Sequence, residues 1–240
     1  MKVTLLQRKT PGDHNLAEVI DQISSLLTTI APDVLVGPEY LFSHSERLYT
    51  EEEKSKILKQ LEELTHGSDT LLIPGSIIWK YNYLYKNTVP IIHQGRTLTT
   101  IDKLSARAID GGFCRRNGVE YLDSKDSLKR GLWLDDYLKS HSVNVRGKDL
   151  LVEICDDHYF RVENITEAPK VADLQVIVSC QKTHHFTAPV QKLFLREGGI
   201  LIECNGKKPS SYIAKIVNGQ LYQGYESPLP VQNDFVSVIF

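Results

Sequence analysis

Three side chains of this sequence could together make and break an acyl bond: Glu39, Lys103 and Cys155. A free thiol titrates near ~8.5, so at neutral pH little of it is nucleophilic unless a neighbour takes its proton. A carboxylate such as Glu39 can take that proton. The ammonium of Lys103 can hold both the thiolate and a developing oxyanion. If Cys155 sits on a strand-to-helix turn, the backbone N–H of Asp156 is free to donate to the same oxyanion. Acyl transfer through a thioester is the chemistry this kit supports. Taken singly, each residue has an ordinary reading: Glu39 as a salt-bridge partner, Lys103 as charge at a strand edge, Cys155 as packing.

All three fall where a strand is expected to end. Lys2–Gln7 is a short β-rich run, and Leu16, Val19, Ile23, Leu26 and Ile30 recur at helical spacing before Ala31-Pro32-Asp33 stops the helix. Asp33–Gly37 is a buried strand that delivers Pro38-Glu39-Tyr40 at its carboxyl end, where open α/β sheets place ligands and catalytic groups. A helix over Thr50–Thr65 and a strand over Asp69–Ser76 follow. Tyr85–His93 and Arg96–Lys103 form a hairpin around Gln94-Gly95 that ends on Lys103. The Gly-rich, charged stretch from Ala108 to Asp126 reads as a long loop, and Ser127–His141 as a helix. Leu150–Ile154 is a strand that runs into Cys155. Leu174–Ser179 is a strand, Pro189–Glu197 a helix and Gly199–Cys204 a strand. Tyr212–Val217 and Gln220–Tyr225 form a hairpin around Asn218-Gly219. Helices alternating with strands, interrupted by two hairpins, predict an α/β fold of mixed sheets, two of them face to face with helices outside.

The 240 residues, 41% of them hydrophobic and 24% charged, suit one domain spanning residues 1–240. With 28 basic and 30 acidic residues the net charge is −2, which argues against a nucleic-acid partner; Arg115-Arg116 and Lys207-Lys208 are isolated pairs. Cys114, Cys155, Cys180 and Cys204 show no metal-binding or disulfide spacing. The amino-terminal run turns polar at Gln7, too early for a signal peptide, and no apolar run is long enough for a membrane helix. The expectation is a cytoplasmic protein with no membrane partner and no metal or organic cofactor.

The order and context of these residues resemble the nitrilase superfamily of carbon–nitrogen hydrolases over nearly the whole chain. Val3–Gln7 resembles its opening strand, Asp13 to Asn15 its first-helix start, and Val34–Tyr40 its Pro-Glu motif. Ile73–Ser76 resembles the Gly-Ser strand end that follows. Asn87–Lys103 resembles its hairpin into the catalytic lysine, and Glu153–Asp157 its Ile-Cys-x-Asp nucleophile elbow. Asn205 and the Ser210–Gly219 segment fit the closing part. The resemblance implies a four-layer α-β-β-α sandwich, a homodimer, and a small-molecule amide substrate. It implies Glu39 as general base and acid, Lys103 as oxyanion stabiliser and Cys155 as nucleophile. Many members add a second glutamate between lysine and cysteine, for which Glu120 in Gly-Val-Glu-Tyr is the best positional match. Tyr40, Asp156, Tyr159 and His184 fall at positions implied to contact substrate. The chain departs from the family after the cysteine: Asp156-Asp157-His158-Tyr159-Phe160-Arg161 replaces the usual run, and Tyr159 stands where members carry an arginine.

Rival readings use the histidines. A Cys/His protease could be drawn from Cys155 with His158 or His184, and a metallohydrolase from Asp156, Asp157, His158 and His184. Neither has motif spacing. Acyl transfer to an acceptor other than water, and a catalytically silent interaction scaffold, are the remaining alternatives to a hydrolase.

Overall fold

A computed structural model describes residues 1–8, 10, 14–44, 46–105, 108–120, 133–180, 188–206, 211–226 and 235–240. Its core is two mixed β-sheets packed face to face. The first contains β1 (Lys2–Leu6), β2 (Val34–Val36), β3 (Leu71–Ile73), β4 (Ile77–Tyr81), β5 (Leu84–His93) and β6 (Arg96–Asp102). The carboxyl-terminal β13 (Phe235–Ile239) pairs antiparallel with β1, giving the order β13-β1-β2-β3-β5-β4, with β6 also paired to β5. The second sheet has the order β12-β11-β10-β9-β8-β7. Its strands are β7 (Ser142–Val145), β8 (Lys148–Ile154), β9 (Ala172–Ser179), β10 (Leu195–Asn205), β11 (Tyr212–Val217) and β12 (Gln220–Glu226). The central strands β1-β2-β3 and β8-β9-β10 run parallel within each sheet, and a Glu39 N–H bond to the Ser179 carbonyl joins the carboxyl ends of β2 and β9 at one end of the sandwich.

Alternation along each strand builds the layers. Val3, Leu5, Val34 and Val36 from the first sheet meet Val152, Ile154, Val176 and Ile202 from the second in a buried inter-sheet core. The opposite face of the first sheet, with Leu6, Leu35 and Leu72, is covered by α1 (Leu16–Thr29) and α2 (Glu51–Thr65) through Ile23, Leu26, Ile57 and Leu61. The outer face of the second sheet, with Leu151, Ile177 and Leu201, carries α4 (Trp133–His141) and α5 (Asp156–Asn164). The result is the expected α-β-β-α sandwich. Helix starts follow local chemistry: the Asn15 side chain accepts from the Ala17 N–H, and Thr50 and Glu53 form a reciprocal capping box. Both expected hairpins form, and Asn218 and Gly219 adopt φ of 51° and 70°, as a tight mirror-image turn requires.

Two expectations change. Ala108–Asn117, read as loop, is the helix α3; adjacent glycines at 111 and 112 lower its propensity, while burial of Phe113 and Cys114 stabilises it. Pro189–Glu197 is not a helix but a 3-10 turn (Val190–Lys192) leading into β10. Leu193, Phe194 and Leu195 are all buried, a continuous apolar run that one helical face cannot accommodate, and Gly198-Gly199 follows two residues after its end. Of the expected helix over Ser127–His141, Trp133–His141 is helical and the earlier part lies outside the described residues. The Pro11-Gly12-Asp13 turn does too.

Candidate active site

Glu39 is brought to the end of the sandwich by two back-to-back turns. Gly37 donates to the Ile73 carbonyl at 2.8 Å, and Ser76 Oγ accepts from the Tyr40 N–H at 2.8 Å. A Cβ on Gly37 would stand 2.3 Å from the Pro74 carbonyl oxygen, and one on Gly75, at φ +95°, 2.2 Å from that of Pro38. The two turns can therefore touch only as glycines. Tyr40 itself takes φ 61°, a left-handed conformation that a bulky residue holds only under constraint. From the second sheet, the Ser179 carbonyl accepts from the Glu39 N–H at 3.3 Å.

Lys103 follows β6. Its N–H donates to the Asn87 carbonyl of β5 at 2.8 Å, and the Asn87 side-chain amide donates to Glu39 Oε1 at 3.0 Å. Lys103 Nζ lies 2.8 Å from Glu39 Oε1 and 2.9 Å from Asp110 Oδ2, with all three side chains fully or almost fully buried. Asp110, on α3, also accepts from Tyr40 Oη at 2.8 Å and Tyr85 Oη at 2.7 Å. Burial opposes the lysine's charge, but the Glu39 and Asp110 carboxylates outweigh it and hold Lys103 well above its ordinary range. Burial pushes the Glu39 carboxyl up; Lys103 pulls it back and Asp110 pushes it up further.

Cys155 ends β8, its N–H bound to the Val178 carbonyl at 2.9 Å. It occupies a sharp strand-to-helix elbow at φ 46°, ψ −104°, immediately before α5. The N–H of Asp156 opens that helix, among the amides with no carbonyl one turn earlier to bind, and at its positive end. The Cys155 thiol lies beside the Glu39 carboxylate, close enough to favour its ionised form. Glu39 Oε1 serves both Lys103 and Asn87, whereas the buried Oε2 accepts from neither.

Two further carboxylates fix the elbow. Asp157 accepts from the Leu104 N–H at 2.9 Å, the Ser105 N–H at 2.8 Å and the Ser105 hydroxyl at 2.7 Å, which ties the turn after Cys155 to the turn after Lys103. Burial pushes its carboxyl up to about 7 against these donors. Glu153 is fully buried beneath the elbow and receives Arg161 Nε and Nη2, Tyr137 Oη, Gln175 Nε2 and the His158 ring. Burial would raise Glu153, but Arg161 and His158 hold it well below the usual carboxylate range.

No protein-family model and no curated protein sequence matches the chain. Solved structures do. An amidase from Nesterenkonia sp. superposes with a TM-score of 0.67 at 14% identity, over 99% of this chain and 89% of the other. Saccharomyces cerevisiae Nit3, a member of branch 10 of the nitrilase superfamily, does so with a TM-score of 0.62 at 13% identity, over 99% and 88%. The chain has the nitrilase-superfamily fold. A glutamine-dependent NAD+ synthetase from Acinetobacter baumannii contains the same fold in 44% of its length, matched to 98% of this chain at 14% identity and a TM-score of 0.62.

Within this nitrilase-superfamily fold, Glu39, Lys103 and Cys155 come together as the sequence predicts, with Tyr40 and Asp156 beside them. Glu120 does not join them. It is exposed, its backbone paired with Tyr83 and Tyr85 beyond the end of α3. The second carboxylate on Lys103 is Asp110, which sequence reasoning missed because it lies in a Gly-rich stretch read as loop. Its signal was spacing: α3 begins five residues after Lys103, and Asp110 is in its first turn. Asn87 and Tyr85, alternate residues of β5, were likewise unassigned to the site. Tyr159 is half-buried in α5, edge-on to His158 with ring centroids 5.5 Å apart. His184 lies outside the described residues. The rival readings lose His158 and Asp157, the first bound through its ring to Glu153 and the second to the Leu104–Ser105 turn; their use of His184 falls outside the described residues. Among the described residues no three His, Cys, Asp or Glu side chains are grouped to hold a metal, and no helix is long and apolar enough to cross a membrane.

Proposed function

We propose that the chain is a carbon–nitrogen hydrolase of the nitrilase superfamily, an amidase that cleaves a small linear amide or carbamoyl group through a thioester on Cys155. One observation carries this reading: a buried Glu39 carboxylate bound to the Lys103 ammonium and set beside the Cys155 thiol just past the strand ends. In the proposed reaction Glu39 accepts the thiol proton as Sγ attacks the carbonyl carbon. The tetrahedral oxyanion is held by Lys103 and the Asp156 N–H, a donor of this kind being worth about 3–4 kcal/mol. Collapse breaks the carbon–nitrogen bond, and Glu39 returns the proton to the departing amine. Glu39 then deprotonates water, which attacks the thioester and releases the acid and the free thiol. Asp110 takes the part expected of Glu120, holding Lys103 charged and in place. A homodimer remains part of the reading.

The solved Nesterenkonia amidase suggests the first probes: one of its structures holds butyramide, and another shows acrylamide added to the active-site cysteine. Incubation with a panel of such amides should release ammonia and give an acyl adduct on Cys155 by intact mass. Both should vanish in Cys155→Ala. Turnover that survives in that variant would refute the nucleophile assignment.

A further inference from the structure

At the end of the sandwich opposite Glu39 and Cys155, the two sheets part around a cavity of about 290 Å³. Its floor is apolar and comes from both sheets: Val34 and Leu71 at the starts of β2 and β3, and Val145, Leu150 and Leu174 from β7, β8 and β9. Water over such a floor finds few hydrogen-bond partners, and a short alkyl chain gains by displacing it. The volume lies at the small end of the range for small-molecule sites.

The rim is charged, and its charges are unequally engaged. Asp33 accepts from the Lys2 N–H at 2.6 Å. Asp69 receives the Gln94 side chain at 2.9 Å and also Arg146. Both rim carboxylates therefore already hold donors. Lys148 has no carboxylate within ion-pair distance among the described residues, and Arg146 contacts Asp69 through one of its nitrogens. His93, mostly buried at the rim, is kept neutral by its burial and by Arg146, so it offers a hydrogen bond and no charge. Asp69 is offset by Arg146 and Asp33 is tied to the Lys2 amide, so Lys148 is the rim cation with no carboxylate partner among the described residues, above an apolar floor.

We propose that this cavity is a second ligand site, remote from Cys155, for a short aliphatic carboxylate: its alkyl chain lies on the Val34, Leu71 and Leu174 floor and its carboxylate meets Lys148 and Arg146. The ligand chemistry does not depend on the hydrolase reading, and the site takes no part in the acyl-transfer steps.

Hexanoate titrated into isotope-labelled protein tests this, with hexylamine as the charge-reversed control. Saturable amide shifts should centre on Arg146–Lys148, His93 and Val34 with hexanoate and be absent with hexylamine. Lys148 is exposed, so Lys148→Glu should fold normally, and it should weaken hexanoate roughly tenfold or more through loss of a charged contact. Three results would each overturn the proposal: no saturable shifts, shifts centred on Glu39, Lys103 and Cys155, or undiminished binding to Lys148→Glu. None of them bears on whether Cys155 carries an acyl group, which the adduct experiment reads separately.

Discussion

Replacing Asp110 by asparagine should make Glu39 easier to ionise, by an amount the geometry bounds. The Lys103 bonds of 2.8 and 2.9 Å keep Glu39 Oε1 and Asp110 Oδ2 no more than 5.7 Å apart. Two like charges at that separation repel by about 3 kcal/mol at an effective dielectric constant of about 20. Asp110→Asn removes this repulsion, keeps the side chain's size and leaves an oxygen to accept from Tyr40 and Tyr85. Glu39 must be ionised to take the thiol proton, so the acid limb of Cys155 reactivity should move to lower pH, by about two pH units if Lys103 stays in place. The assay needs no substrate: the rate of carboxamidomethylation of Cys155 by iodoacetamide, followed by intact mass across pH 4–9. Turnover on an amide should also fall about 10–100-fold, because Lys103 loses one charge-assisted hydrogen bond of about 1.5–3 kcal/mol. An acid limb that stays put or moves to higher pH would refute the electrostatic coupling of the two carboxylates.

Two other predictions concern stability. Cys155 holds φ 46°, ψ −104°, a conformation costing about 1–3 kcal/mol for a residue with a Cβ, so Cys155→Gly should be about 1 kcal/mol more stable than Cys155→Ala in denaturant unfolding, even after glycine's larger unfolded-state entropy. Equal stabilities would mean that the elbow is not strained. Glu203 is buried in β10 with Ser179 Oγ donating at 2.9 Å, and burial pushes its carboxyl up to about 7 from 4.5. The folded protein therefore keeps this proton when the unfolded chain has lost it: the contribution is full below pH 4.5 and is lost as pH rises to 7. Glu203→Gln should gain in Tm on the parent protein across that window, and a difference independent of pH would sink the assignment.

What the sequence made legible follows from the range of the interactions involved. The sandwich was readable because its cause is local: short apolar runs in β2, β8 and β9 that mark buried strands, helical spacing in α1, and the Asn218-Gly219 turn. Glu39, Lys103 and Cys155 were readable because each ends a strand. Asp110 was hidden because α3 is held by a non-local packing of Phe113 against Tyr40 and Tyr85, with ring centroids 5.9 and 6.3 Å apart, while its own Gly-Gly pair argues for a loop. The chain around Glu120 offered a family spacing but no physical reason for burial. β13 and β4 were missed because a short strand at a sheet edge has little signal of its own until its partner is known.

The depth of buried polar structure under the site has a mechanical reason. A thiol, an ammonium and a carboxylate from segments 39, 103 and 155 must be held to a few tenths of an ångström, and each lies on a turn just past a strand, where sheet hydrogen bonding has ended. The backbone ties replace that support: Glu39 N–H to Ser179, Lys103 N–H to Asn87, and Leu104 and Ser105 N–H to Asp157. The third tie runs from two residues past the cysteine to the residues just past the lysine, so the ammonium cannot shift without moving the elbow. The second problem is strain, because Tyr40 and Cys155 both sit at positive φ and would relax if free. Tyr40 is pinned through its N–H to Ser76 and its hydroxyl to Asp110, and Cys155 is held by a helix whose Arg161 and His158 are locked onto Glu153. Substituting Glu153 would leave Arg161 buried without a counter-charge, a loss of about 3–5 kcal/mol, comparable to or larger than the elbow strain the network restrains.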